Sequence, residues 1–144
     1  MDDREKRVWQ RVMADQPDPA QTCLKALAMA SAQAAETYRA LQQSSRGISR
    51  ELAQRLWEGE QQTLRSLRGL QWMQTGETLK LTPMPHQGQV NRRLLVRLYH
   101  TTRRDLTEYM ARSAEGEWGC VFQDLARCRQ EQCTLLCRLI GIMA

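Results

Sequence analysis

The chain has 144 residues, of which 42% are hydrophobic and 26% charged, and it carries a net charge of +5. This composition excludes a disordered chain, and the length suits one domain with a substantial core. No apolar run approaches the length of a bilayer span, and the basic residues are scattered. Arg92-Arg93 and Arg103-Arg104 are the only Arg pairs, so neither a membrane protein nor a nucleic-acid binder is expected.

Leu, Ala, Gln, Glu and Arg dominate, while Val and Ile are few, which favours helix nearly everywhere. The first residues, Met1-Asp2-Asp3-Arg4-Glu5-Lys6-Arg7, lack a secretory pattern, so a cytoplasmic setting is expected. The odd number of cysteines (23, 120, 128, 133 and 137) argues against a complete disulfide framework.

Residues 1–18 are expected to form an N-terminal helix and linker, with a short amphipathic helix over 2–14 and Val8, Trp9, Val12 and Met13 on one side. Asp18 suits an N-cap, Pro19 the first helical position and Gln21 the capping-box partner. The domain proper then occupies 19–144. Its first long helix spans about 19–44, with Leu24, Leu27/Ala28, Ser31, Ala35, Tyr38 and Leu41 facing inward. Ser44-Ser45-Arg46-Gly47 is a tight turn in which Gly47 takes the left-handed conformation. The second helix covers about 48–74, with Ile48, Leu52, Leu56, Glu60, Thr63, Leu67 and Leu70 inward. So short a link makes these two helices an antiparallel hairpin.

Residues 75–89 are too long for a hairpin turn and suit a crossover. Within them, Thr78-Leu79-Lys80-Leu81-Thr82 alternates as an extended piece would. The third helix is expected over 90–113, with Leu95, Leu98/Tyr99, Thr102, Leu106, Tyr109 and Met110 inward. After 114–117 a fourth runs to about 141, burying Val121/Phe122, Leu125, Cys128/Arg129, Gln132, Leu135/Leu136 and Leu139. Ser31/Tyr38 and Thr102/Tyr109 share a seven-residue spacing, a faint internal repeat. The expected fold is an all-α antiparallel four-helix bundle, two hairpins joined by one long crossover.

Each apolar stripe is interrupted at one level: Ser31, then Glu60 and Thr63, then Thr102, then Arg129 and Gln132. A Glu or Arg facing the core must be paired, because burying an isolated charge is costly. Glu60/Thr63 and Arg129/Gln132 lie at i, i+3, the spacing of the paired Glu-x-x-His motifs of di-iron carboxylate bundles.

Here the chain resembles the rubrerythrin-like branch of the ferritin-like superfamily. Ser31 through Tyr38 is similar to that family's Glu-x-x-Ala-x-x-x-Tyr segment, with Ala34 and Tyr38 in place and the glutamate replaced. Leu98 through Tyr109 resembles its third helix, and Val121 through Leu136 its fourth. The resemblance implies a ferritin-like fold and places former metal-site positions at Ser31, Glu60, Thr63, Thr102, Arg129 and Gln132. Of the ligands it implies, only Glu60 remains. One carboxylate facing an arginine does not balance two divalent cations, so neither metal nor cofactor is expected. An ion pair between Glu60 and Arg129 is expected instead, with Ser31, Thr63, Thr102 and Gln132 as hydrogen-bond partners. Asp105 and Glu131 fall at least a quarter turn off the seam by this phasing, and His100 falls outside it.

Cys128, Cys133 and Cys137 lack zinc-site spacing and read as small buried hydrophobes. Tyr38 and Tyr109 are expected in the core beside the polar level. Trp9, Trp57, Trp72 and Trp118 cover helix surfaces, and some of them suit a homodimer interface. The leading functional expectation is a non-catalytic scaffold, a homodimer contacting an unidentified protein partner or holding a small ligand in the old metal cavity. The alternative is an iron-binding or peroxide-reducing oxidoreductase with an atypical site built from Glu60, Asp105 and Glu131.

Overall fold

A computed structural model describes residues 3–5, 19–114 and 116–143. Within this range the regular structure is helical, with no strand. Residues 3–5 are helical, while the rest of the helix expected over 2–14, and the Asp18 cap, lie outside the described residues. Four long helices follow: α1 (Pro19–Ser44), α2 (Ile48–Thr75), α3 (Arg92–Ser113) and α4 (Gly119–Ile142).

Their ends follow from local chemistry. Gly47 turns the chain between α1 and α2 at φ 63°, a backbone region that L side chains rarely adopt. Gly76 closes α2 at φ 72°, its N–H donating to the Trp72 carbonyl at 2.8 Å. The Asn91 side chain accepts from Leu94 N at 2.9 Å and starts α3 two residues later than periodicity alone predicts.

The broadest packing is within the pairs α1–α2 and α3–α4, and α2 against α4 joins the two pairs. The core falls into two clusters. One gathers Leu24, Ala28 and Ala32 of α1, Leu64, Leu67 and Leu70 of α2, Tyr109 of α3, and Phe122, Leu125 and Ala126 of α4. The other gathers Tyr38 and Leu41, Leu52, Ala53 and Leu56, Leu95, and Leu135, Leu136 and Leu139. In chain order, α1 and α4 pass from the first cluster to the second, whereas α2 and α3 pass from the second to the first. Each adjacent pair is therefore antiparallel, and the chain between α2 and α3 must return along the whole assembly. At ~1.5 Å per residue α2 is roughly 42 Å long, and the link at 76–91 reaches roughly 50 Å when extended, so it is just long enough.

That link has no strand partner, and the expected extended piece at 78–82 is irregular. Its alternation still has a use, because Leu79 and Leu81 pack on the first cluster while Thr78, Lys80 and Thr82 face out. Further on, the Gln33 side chain holds the main chain of Met84 twice, donating to its carbonyl at 2.9 Å and accepting from its N–H at 3.1 Å.

Two residues expected inside are outside. Ile48 is 58% exposed and Met110 59%. Ile48 is the first residue of α2. Met110 is one step, or about 100°, around the helix from buried Tyr109. Cys128, Cys133 and Cys137 also depart from the reading as buried hydrophobes: Cys137 is exposed, while Cys128 and Cys133 are half-buried. Leu135, Leu136 and Leu139 already fill the inner face of α4. Trp57 and Trp118 pack partly against the core, and Trp72 is exposed.

Candidate functional site: a buried ionic layer

Between the two apolar clusters every helix contributes polar side chains. Ser31 of α1, Glu60 and Thr63 of α2, Thr102 and Asp105 of α3, and Arg129 and Gln132 of α4 are all buried. At its centre Arg129 Nη1 lies 2.6 Å from Glu60 Oε1, and both side chains are only 2% exposed. The same carboxylate oxygen accepts from Gln132 Nε2 at 3.3 Å, and the other accepts the Ser31 hydroxyl. Gln132 Oε1 accepts from Arg129 Nη1, and its amide N–H donates to the Leu56 carbonyl at 3.2 Å. Three donors thus converge on one carboxylate.

Burial alone disfavours the charge on Arg129, but the Glu60 carboxylate more than offsets this, so the guanidinium holds its proton even more firmly than usual. Burial likewise pushes the Tyr38 and Tyr109 hydroxyls far up, so both stay neutral.

Ser31 and Gln132 belong to the network, but Thr63 and Thr102 do not join it as expected. Thr102 donates to the Leu98 carbonyl of its own helix at 2.7 Å, and Thr63 donates to Cys128 Sγ at 3.8 Å. Asp105 is the converse. Expected off the seam, it is buried, with Oδ2 3.8 Å from Arg129 Nε. That is ion-pair range but too long for a hydrogen bond. The signal was present, since Thr102 and Asp105 repeat the i, i+3 polar spacing of α2 and α4.

Burial raises the Asp105 carboxyl above its ordinary value; Arg129 and Arg104 oppose this, and Glu60 and Glu108 add to it. An acid with a raised folded-state pKa binds more protons folded than unfolded between the two values. Stability is then highest at low pH and falls as pH rises through that window. Asp105→Asn is expected to flatten this slope and to be at least as stable as the parent at neutral pH. Urea midpoints from mildly acidic to neutral pH test this, and an unchanged slope would count against it.

Helices α2 and α4 approach closely at this level. A Cβ on Gly59 would stand 2.9 Å from Gln132 Nε2, whereas one on Gly69 would meet nothing within 4 Å. Gly69→Ala is therefore expected to add about 0.5–1 kcal/mol of stability through helix propensity. Gly59→Ala is expected to lose that gain by displacing Gln132 from Glu60 and Leu56. Equal midpoint shifts for the two variants would contradict this.

The donor set does not fit a two-metal centre. Both Glu60 oxygens already accept hydrogen bonds, and a guanidinium stands beside them. Among the described residues no three His, Cys, Asp or Glu side chains are placed to share a metal ion. Glu131 is exposed and pairs with Arg55 at 3.4 Å, so it does not meet Glu60 and Asp105. His100 is exposed, and His86 sits in the crossover with Nδ1 3.3 Å from the Thr37 hydroxyl.

A cavity of about 280 Å³ opens between α1 and α3 and reaches the layer. Ala30, Ala34, Leu94 and Leu98 form its apolar walls, while Glu60, Asp105 and Arg129 lie at its inner end. Among the described residues no helix is long and apolar enough to cross a membrane. Comparison of the chain with protein-family models, curated proteins and solved structures found no match.

Proposed function

We propose that this is a ferritin-like, rubrerythrin-related four-helix bundle in which an internal ion pair stands where relatives hold two metals. On this reading it is a non-catalytic cytoplasmic scaffold, homodimeric, that engages a partner protein or a small ligand. Three observations support it. A single long crossover joins two helix pairs in the directions that ferritin-like connectivity requires. Polar residues from all four helices meet midway along them. Above all, Arg129 Nη1 sits 2.6 Å from Glu60 Oε1 with both groups buried, a neutral arrangement that competes directly with binding of divalent cations. Exposed Trp72, Met73 and Met110 lie toward the same end of their helices and suit a subunit contact.

Metal analysis of purified protein, followed by iron reconstitution and a peroxide turnover assay, tests this reading. The expected result is no stoichiometric iron and no turnover. Two irons per chain with peroxide reduction would overturn it in favour of an oxidoreductase. Light scattering across a dilution series should report a dimer, and a monomer at all concentrations would remove that element.

A further inference from the structure

The cavity between α1 and α3 has a one-sided chemistry. Its hydroxyl protons are directed at helix backbone: Thr101 donates to the Arg97 carbonyl at 3.1 Å and Thr102 to the Leu98 carbonyl at 2.7 Å. Thr37 shares its hydroxyl between the Gln33 carbonyl and His86 Nδ1. The Gln33 amide is committed to Met84 on both sides. Facing the cavity, the three hydroxyls therefore keep acceptor capacity, their protons being already placed.

Charge runs the same way. Glu60 and Arg129 cancel each other in contact, while Asp105 stands at a longer 3.8 Å from Arg129 Nε. That Nε is buried without a hydrogen-bond partner among the described residues. An ionised Asp105 thus leaves the layer with two acids against one base. The remaining walls are aliphatic: Ala30, Ala34, Leu94 and Leu98. At about 280 Å³ the space sits at the small end of the size range of ligand sites.

We propose that this cavity binds a small aliphatic primary ammonium ion. Its –NH₃⁺ group meets the Asp105 carboxylate and the hydroxyl oxygens of Thr101 and Thr102, and its hydrocarbon chain lies along Ala30, Ala34, Leu94 and Leu98. The three donors of an ammonium match the surplus of acceptors, and its charge balances the layer. A carboxylate ligand would face the charges of both Asp105 and Glu60.

The inference rests on the reading of the layer as metal-free. It is tested by calorimetric titration of the full-length chain with n-hexylamine, 1-hexanol and hexanoate, with iron content measured on the same preparation. Hexylamine should bind saturably and more tightly than either analogue. Asp105→Asn should weaken it about tenfold or more, and Ala34→Leu, which fills the apolar wall and keeps the carboxylate, should do likewise. Circular dichroism of each variant confirms folding. Hexylamine binding no tighter than hexanol or hexanoate, or unchanged in both variants, would refute the ammonium site. If that occurs without iron, this inference alone fails, whereas stoichiometric iron sinks the underlying reading as well.

Discussion

Arg129→Met is expected to destabilise the protein by about 3–5 kcal/mol, because it strands the Glu60 carboxylate in the core without its counter-charge. Glu60 is 2% exposed and retains only Ser31 and Gln132 as donors once the guanidinium is gone. Two hydrogen bonds do not replace a contact ion pair for a charge removed from water. The damage should be largely reversed by adding Glu60→Gln. The double variant holds no charge at that point, and its new amide can still meet Ser31 and Gln132. Replacement of a buried pair by neutral groups of similar volume is often close to neutral. Denaturant unfolding of the parent, the two single variants and the double variant gives the coupling directly. If Arg129→Met unfolds at the parental midpoint, the pair is not what holds Glu60 in place.

The second large effect concerns the apolar clusters on either side. Leu67→Ala and Leu136→Ala should each cost about 2–5 kcal/mol, since each removes a fully buried side chain and leaves a cavity. They belong to different clusters, separated by the polar level. Their costs should therefore add to within about 0.5 kcal/mol in the double variant. Marked non-additivity would mean that strain passes through the ionic layer and that the two halves of the core act as one.

Most of this architecture is legible in the sequence, for reasons that can be named. Leu24, Ala28, Ser31, Ala35, Tyr38 and Leu41 recur at three and four residues, as do Leu52, Leu56, Glu60, Thr63, Leu67 and Leu70, and all are buried. Gly47 and the crossover prolines mark where helices cannot continue. Ser31, Glu60, Arg129 and Gln132 were visible as polar breaks in those stripes, and the structure brings them together.

What escaped has a common cause: periodicity assigns a face but not a neighbour. Ile48 carries the right phase but lies at the first position of a helix and stays exposed. Met110 was placed on the wrong side of Tyr109 by about 100°. Asp105 lay within a turn of Thr102, yet only the position of Arg129 on another helix shows that it has a charged partner. Thr63 and Thr102 have the right phase too, but their hydroxyls bond to the Cys128 sulfur and the Leu98 carbonyl instead, which spacing does not reveal.

The hold of Gln33 on Met84 carries a topological consequence. A tether fixed near its middle behaves as two short spans, each closing at its own modest entropic cost. Slack introduced on the side of Leu79 and Leu81 stays on that side, and Asn91 still receives α3 at the same place. Evolution can therefore lengthen or decorate either span without retuning the mutual placement of the two helical hairpins.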